Sequence, residues 1–291
     1  MEKGRGVKAR LALVLATVIW GSSFLVMKNT LDHIPTFALL AIRFTGACLL
    51  LGAAFWKKVR AATKRDLTQG FIMGTLLFTA YSVQTFGLTD TTPGKNAFLT
   101  ATYCIFVPFL GWLLTKRRPD RYNLCAAILC IVGVGCVSLT GDFSVRMGDL
   151  LSMACGLFYA LHILATARFT GRGDAFLLTV LQFFFAALWA WAFALGTGGL
   201  PAGIPVDSLF SLGYLCVFAT GVCLLLQSYG QKYTPPTTVA LLLSLEAVFG
   251  VVFSLLFGGG EELSVRMVLG FLLIFCSIVV SETKLSFFGK K

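Results

Sequence analysis

The chain has 291 residues, of which 57% are hydrophobic and 13% charged, with a net charge of +11 and a mean hydropathy of +0.84. A soluble globular protein is roughly 45–50% apolar and about 25% charged, so a soluble domain could not bury this much apolar surface. The composition excludes an ordinary soluble enzyme, a disordered chain and a disulfide scaffold, and it predicts an all-α integral membrane protein.

Ten stretches of near bilayer length follow one another along the chain. A spanning helix needs about 20 apolar residues, and these stretches carry no charge except Arg43 in the second and Glu246 in the ninth. The seventh is longer than one span, and its Gly-rich and Pro-rich section Gly196–Pro205 is predicted to be a loop after the helix. The stretches are 11–27, 34–56, 70–89, 96–115, 122–141, 150–167, 175–206, 208–231, 233–260 and 267–281.

The basic residues alternate between the loops. Of the 24 Lys and Arg residues, 19 fall in loops on one side, four on the other, and Arg43 lies within a span. This positive-inside bias predicts ten spans with the N and C termini in the cytoplasm of a multi-pass inner or plasma membrane protein. It also assigns the net charge to the membrane surface, with no nucleic acid as partner. The first stretch could be the core of a signal peptide, but no small-residue cleavage site follows, which favours an uncleaved helix.

An internal repeat divides the chain into two halves. Residues 92–99 (Thr-Pro-Gly-Lys-Asn-Ala-Phe-Leu) and 234–241 (Thr-Pro-Pro-Thr-Thr-Val-Ala-Leu) match at an offset of 142, and each places a Pro turn before an apolar helix. Each half, 1–141 and 142–291, holds five spans. Because five is odd, the second half must enter the membrane from the opposite face. Such inverted-topology repeats are common in secondary transporters, whose substrate site lies near the midplane.

Two charges lie at membrane depth, where insertion costs about 2.5–3.5 kcal/mol, so each is a candidate site residue. Arg43 lies about 12 Å into the second span, and Glu246 about 14 Å into the ninth. The two could pair across the repeat interface. Glu246 could bind a substrate ammonium or a proton and Arg43 a carboxylate, or both could bond the backbone. His162 could relay protons, or be a satisfied interior polar group.

Uncharged polar residues are the other candidates for a substrate site. A cavity that handles a polar solute needs such groups to replace its hydration, but any one of them could instead join two helices by a hydrogen bond. The face formed by Asn96, Thr100 and Tyr103 is the preferred cavity wall, because it lies in the helix that follows the Thr-Pro-Gly turn. The predicted substrate-binding residues are Trp20, Ser23, Tyr81, Gln84, Asn96, Thr100, Tyr103, Tyr159, His162 and Glu246.

Motifs of catalysis and cofactor binding are not found in the sequence. It has no Walker loop, no His-Glu-x-x-His, no Gly-x-Ser-x-Gly and no Gly-x-Gly-x-x-Gly. The nine cysteines all lie within apolar stretches and show no paired metal-ligand spacing, so they are interpreted as small buried apolar residues. We therefore expect no catalytic residue, cofactor or metal.

Four short motifs carry a family resemblance: Trp20-Gly21-Ser22-Ser23-Phe24, Arg43-Phe44, Thr92-Pro93-Gly94-Lys95-Asn96-Ala97 and Leu245-Glu246-Ala247. With them, the sequence resembles the EamA-type proteins of the drug/metabolite transporter superfamily, over nearly its whole length and as two repeats. The resemblance implies a basket-like bundle of two inverted five-helix repeats around a central cavity, and export of small metabolites, including amino acids, by alternating access. Ala247 replaces the usual Pro of the second repeat, and Cys104 stands where the first often has Pro.

Several functions stay open at this point. The favoured one is a secondary exporter of small polar metabolites such as amino acids, with protons as a candidate coupling ion. A second is import or exchange of a sugar, a nucleotide-sugar or an amine. A third is an intramembrane enzyme that uses Glu246 and His162, and a fourth is a scaffold, which the short loops disfavour. The partners expected are a small-molecule substrate and the lipid bilayer, and the chain could be a monomer or a weak dimer.

Overall fold

The computed structural model describes most of the chain. Three sequence features lie outside the described residues: Thr92 of the repeated motif, the predicted boundary between residues 141 and 142, and the basic C-terminal residues Lys290 and Lys291. The described residues are 2–91, 93–116, 118–138, 146–201, 203–256 and 264–284.

All regular secondary structure in the described residues is helical. Fourteen α-helices and one π-helical segment follow each other, joined by short turns and by the parts of the chain not described. They are α1 (Glu2–Leu31), α2 (Thr36–Ala54), α3 (Trp56–Arg60), α4 (Lys64–Thr89), α5 (Pro93–Thr100), α6 (Tyr103–Thr115), α7 (Arg121–Ser138), α8 (Met147–Thr170), α9 (Ala175–Gly196), α10 (Val206–Tyr214), the π-helical segment (Leu215–Val222), α11 (Cys223–Tyr233), α12 (Pro236–Leu243), α13 (Leu245–Leu256) and α14 (Val265–Thr283).

The helices agree with the predicted membrane protein. Within the described residues, eight helical stretches are long and apolar enough to cross a bilayer by length and composition. Two further apolar helices, Arg121–Cys136 and Val265–Ser281, are shorter and coincide with the fifth and tenth predicted stretches. The helical fold is thus confirmed and is consistent with a membrane protein, whereas the count of ten spans and the cytoplasmic position of both termini stay predictions.

The hydrophobic core lies between the first and second halves of the chain. α1 packs against α11 and α13, α2 against α9, α4 against α8 and α9, and α7 against α14. Glycines allow the close approach of several of these pairs. A Cβ added at Gly21 of α1 would overlap Phe249 of α13, and one at Gly133 of α7 would overlap Ile274 of α14. Small residues of this kind let helix backbones meet closely in a membrane, so the two halves interlock along their length.

Two predicted spans are interrupted near the middle. The fourth breaks into α5 and α6 at Ala101 and Thr102, and the ninth breaks into α12 and α13 at Ser244. Each break comes shortly after the Pro-containing turn of the repeat, at Pro93 and Pro235. The backbone stays hydrogen-bonded through both interruptions: Cys104 N donates to the Ala101 carbonyl at 3.0 Å and Ala247 N to the Ser244 carbonyl at 3.2 Å. Each break is therefore a tight turn of the 3₁₀ type within the span. The predicted continuous stretches did not show these breaks.

The eighth predicted span contains a π-helical segment, Leu215–Val222. Thr220 donates through Oγ1 to the Leu215 carbonyl at 2.7 Å, five residues earlier. A π-helical turn is rare and often marks a functional site, because it displaces carbonyl groups from the regular α-helical pattern. This segment contacts α1 and α2. One of its carbonyl groups accepts a hydrogen bond from α1, and one of its hydroxyl groups accepts a hydrogen bond from α2.

The ends of several helices are tied by ion pairs outside the membrane-spanning segments. Lys58 of α3 donates to Asp174, the residue before α9, at 2.6 Å. Lys284, just after α14, lies 2.7 Å from Asp120, just before α7. The hydrogen bond from Lys284 and a second one from the Tyr122 backbone hold the pKa of Asp120 below its usual value. Both pairs connect helices of the first half to helices of the second.

Candidate substrate cavity

One cavity lies between the two halves of the chain, at the level of both helix breaks. Thr100 and Tyr103 flank the first break, and Leu243 and Glu246 flank the second. Residues of α1, α2, α4, α8 and α11 complete the wall. The lining residues are Trp20, Ser23, Phe24, Met27, Arg43, Tyr81, Gln84, Thr100, Tyr103, Tyr159, Ile163, Gln227, Leu243 and Glu246.

The cavity is narrow in this conformation. Its empty volume is about 540 Å³ when the space at its mouth is included, but only about 40 Å³ is open to the centre of a water molecule. Since about 10–15 Å³ of such space is needed for one water, the cavity has room for a few waters. Binding of a metabolite therefore requires side chains of the cavity wall to move apart.

Arg43 lies in the cavity wall and is almost fully buried, with 2% of its surface exposed. Its Nε donates to Thr220 Oγ1 of the π-helical segment at 3.0 Å, and its Nη1 donates to Met27 Sδ at 3.2 Å. The guanidinium carbon lies 5.2 Å from the centre of the Tyr81 ring, within the range of a cation–π contact. Arg43 is thus held by three elements.

Glu246 enters the cavity from the first turn of α13, directly after the break at Ser244. The N-terminal end of a helix carries partial positive charge, which favours a carboxylate there. Tyr103 donates to Glu246 Oε1 at 3.3 Å, so each break contributes one partner to this bond. The structure does not confirm the predicted pairing with Arg43: within the described residues, Arg43 and Glu246 line one cavity without an ion pair between them.

Three tyrosines form a continuous aromatic wall. The rings of Tyr81 and Tyr159 have centres 5.7 Å apart, and those of Tyr159 and Tyr103 have centres 6.4 Å apart, both edge to face. The Tyr159 hydroxyl donates to Gln84 Oε1 at 2.8 Å, and Gln84 Nε2 donates to Thr100 Oγ1 at 3.3 Å. The hydroxyl groups of Tyr159 and Tyr103 are therefore bonded to neighbouring side chains, while the three rings border the cavity.

Trp20 is positioned by the π-helical segment. Its Nε1 donates to the Ala219 carbonyl at 2.7 Å, and Ser23 Oγ donates to the Trp20 carbonyl at 2.8 Å. The π-helical segment thus binds Trp20 through a carbonyl and Arg43 through a hydroxyl, so one element orients two residues of the cavity.

Nine of the eleven predicted residues line this cavity, and two lie elsewhere. Asn96 is buried between α4 and α8, where its Nδ2 donates to the Gln84 carbonyl at 3.1 Å and to Ser152 Oγ at 2.8 Å. His162 is buried against α9, with its Nε2 2.8 Å from Gln182 Oε1. The face predicted for Asn96, Thr100 and Tyr103 is divided by the helix break.

The prediction of site residues did not include five of the lining residues. Gln227 of α11 is the one polar residue among the five, and a glutamine within an apolar span is the sequence signal that could have identified it. The other four are apolar, and no sequence signal distinguishes them from the core: Phe24, Met27, Ile163 and Leu243. In the part of the chain that the structure describes, no three His, Cys, Asp or Glu side chains come together as metal ligands.

Comparisons with known proteins agree with the geometry. The EamA-like transporter family matches the chain twice, over residues 7–139 and 146–283. An uncharacterized transporter of Archaeoglobus fulgidus is 32% identical over 279 residues, which cover 95% of this chain and 87% of that protein. The uncharacterized transporter YoaV of Bacillus subtilis is 22% identical, over 94% of this chain and 97% of that protein.

A solved crystal structure shares the fold. It superimposes with a TM-score of 0.74 at 20% sequence identity and covers 94% of this chain and 96% of that one. The twofold family match and the archaeal relative, over nearly the whole length, are sufficient to assign the family. The chain is a multi-pass membrane transporter that belongs to the EamA-like transporter family.

Proposed function

We propose that the protein is a secondary exporter of small polar metabolites, amino acids first, which moves them by alternating access through the cavity between its halves. The cavity would bind the solute in a conformation wider than the one described. Movement of the two halves would then expose it to each side of the membrane in turn.

One observation carries this proposal. Trp20 of α1 and Arg43 of α2 lie about 200 residues from Glu246 of α13, yet all three line one cavity at the two helix breaks. Charged groups at membrane depth are costly and are typical of substrate and ion pathways. The two charges form no ion pair with each other within the described residues, and Glu246 receives one hydrogen bond, from Tyr103, so its carboxylate is available to a solute.

Protons are the proposed coupling ion, with Glu246 as the residue that takes them up. Its carboxylate receives one hydrogen bond, from Tyr103, and a buried carboxylate without a cation is strongly disfavoured. A proton at Glu246 would remove that charge while the cavity is empty. His162 is the less favoured carrier, because it lies outside the cavity wall.

The test is counterflow in liposomes that contain the full-length protein and are loaded with one unlabelled amino acid at a time. We expect one chemical class of amino acid to drive uptake of its labelled form. Tyr103→Ala should abolish this uptake, because it removes a ring of the aromatic wall and the donor to Glu246. Tyr233→Ala, which removes an exposed tyrosine at the end of α11, should retain it.

Absence of counterflow for every amino acid, from protein shown to be folded, would exclude amino acids as substrates. Sugars, amines and nucleotide precursors would then be tested in the same liposomes. Release of a chemically altered product during the assay would instead favour an intramembrane enzyme.

A further inference from the structure

We infer that the cavity recognises its ligand mainly through an ammonium group, so that primary amines without a carboxylate bind and the corresponding carboxylic acids without an amine do not. The inference rests on the proposed function, since it concerns the same cavity, and it specifies the chemical class of the ligand.

Three hydrogen-bond donors of the cavity wall are already used within the protein. Trp20 Nε1 donates to Ala219 at 2.7 Å, and the Tyr159 hydroxyl donates to Gln84 at 2.8 Å. The Tyr103 hydroxyl donates to Glu246 at 3.3 Å. A ligand carboxylate needs donors, so binding it at these residues would require existing bonds to break.

Arg43 is the cation of the wall, and its charge is already stabilised. Two of its three nitrogens donate to Thr220 and Met27, and its guanidinium covers the Tyr81 ring. Arginine binds a carboxylate best through two parallel bonds from neighbouring nitrogens. In this site that arrangement would compete with the bonds to the π-helical segment and to α1.

The acceptor groups of the cavity wall, in contrast, receive few hydrogen bonds from the protein. Glu246 Oε1 accepts one long hydrogen bond, and its Oε2 accepts none from any described residue. Gln227, 3% exposed, lines the same cavity, and its amide makes no hydrogen bond to the described part of the chain. Its oxygen is therefore a second acceptor open to a ligand, beside its N–H donors. An ammonium offers three donors and a positive charge to these acceptors.

The aromatic residues supply the rest of a cation site. Because their polar tips are bonded to the protein, Trp20, Tyr103 and Tyr159 border the cavity with their rings. Ring faces attract an ammonium within about 6 Å of their centres, and Arg43 over Tyr81 shows a cation in this geometry in the same cavity. A carboxylate gains nothing from these faces. Removal of the ammonium should therefore weaken a ligand more than removal of the carboxylate.

The experiment compares matched ligands on the purified full-length protein. The probes are leucine, 3-methylbutylamine, which lacks the carboxylate, and 4-methylpentanoate, which lacks the amine, together with the corresponding sets for phenylalanine and threonine. Binding is measured as the ligand-dependent rise in the unfolding midpoint and by calorimetric titration. In at least one set, we expect the amine to bind within about threefold of the amino acid and the acid at least tenfold more weakly.

Two variants locate the binding. Glu246→Gln keeps the shape of the side chain and should weaken amine binding at least tenfold, whereas Asp32→Asn removes the same charge at an exposed position and should leave it unchanged. If Glu246→Gln does not fold, Gln227→Leu serves in its place, with a several-fold loss expected. The ligand comparison itself needs only the unaltered protein.

Two outcomes would overturn the inference, and they differ in whether the proposed export of amino acids is also rejected. Amino acids that bind while their amines do not would show that the carboxylate is required, and the proposed export of amino acids would remain. Binding of none of the three classes, together with no counterflow of amino acids, would reject both the inference and the proposed substrate class.

Discussion

Arg43 is tolerated at membrane depth because several neighbouring groups stabilise its charge. Insertion of such a charge costs about 2.5–3.5 kcal/mol, and Thr220, Met27 and the Tyr81 ring each offset a part of this cost. Thr220 has two roles, since its Oγ1 accepts from Arg43 and donates to the Leu215 carbonyl. The interaction of Arg43 with the π-helical segment therefore depends on one hydroxyl group.

The substitution Thr220→Val tests this dependence at the level of one residue. Valine keeps the shape but leaves Arg43 Nε without its acceptor, so we expect a loss of about 1–3 kcal/mol of stability. The measurement is the thermal unfolding midpoint in detergent. Thr197→Val, at an exposed threonine after α9, is the matched control, and an equal midpoint for the two variants would contradict the role of Thr220.

The residue types of the cavity could be predicted from the sequence, but the directions of their polar tips could not. Trp20, Tyr81 and Glu246 are unusual in apolar spans, and all three line the cavity. Asn96 and His162 are just as unusual, yet they bond Ser152 and Gln182 away from it. Whether a polar side chain points into the cavity or toward another helix depends on where the neighbouring helices cross. The residue pattern of one span does not contain that information.

At the level of the element, the long helices could be predicted and their interruptions could not. The predicted spans agree with the observed helices because uncharged runs of bilayer length have few other structures available in lipid. The breaks before Tyr103 and Glu246 and the π-helical segment at Leu215–Val222 occur in runs whose hydropathy predicts one continuous span each. They are stabilised by tertiary contacts, which hydropathy does not report.

Gly156 of α8 is one such contact, since it packs on the first helix break. A Cβ at this position would overlap Thr102 Oγ1 and lie 3.0 Å from the Thr100 carbonyl. We expect Gly156→Ala to cost about 1–3 kcal/mol of unfolding free energy, as overpacking does, and denaturation in detergent measures it. Gly213→Ala in α10, where nothing lies within 4 Å, should be neutral or stabilising by up to about 1 kcal/mol. Equal effects of the two would contradict close packing at the break.

The ion pair of Asp120 and Lys284 predicts a pH dependence for the packing of α7 on α14. The folded-state pKa of Asp120 is below its usual value, so the pair stabilises the fold above the unfolded pKa of about 4 and the contribution is lost as pH falls below it. The unfolding midpoint of Asp120→Asn should be lower than that of the unaltered protein at pH 7, and the two midpoints should converge as the pH falls through the folded-state pKa of Asp120. A constant difference across this range would exclude the pair as the cause.

At the level of the whole molecule, the two halves are joined by packing along their length. α7 lies on α14, α2 on α9, and α1 on α11 and α13, so a movement of one half changes the wall of the cavity. Inverted-topology halves of equal span number would make the inward and outward arrangements similar in kind. That relation depends on ten spans.

Fusion of reporters to both termini tests the ten spans. We expect a fluorescent protein that folds in the cytoplasm to be bright at either end, and alkaline phosphatase, which is active only outside, to be inactive at both. The reason is the 19 to 4 division of basic residues between alternate loops. Opposite results at the two ends would mean an odd number of spans and would remove α7 or α14 from the count.

The most direct test of the central claim is the accessibility of the cavity from each face of the membrane. Ser23→Cys places a nearly isosteric thiol on the cavity wall, and the nine native cysteines are replaced beforehand. In liposomes with one protein orientation, a membrane-impermeant thiol reagent is supplied either inside or outside. Alternating access predicts that the thiol reacts from both sides and that a bound substrate slows both reactions. Reaction from one side only, or from neither, would contradict the cavity as the transport pathway.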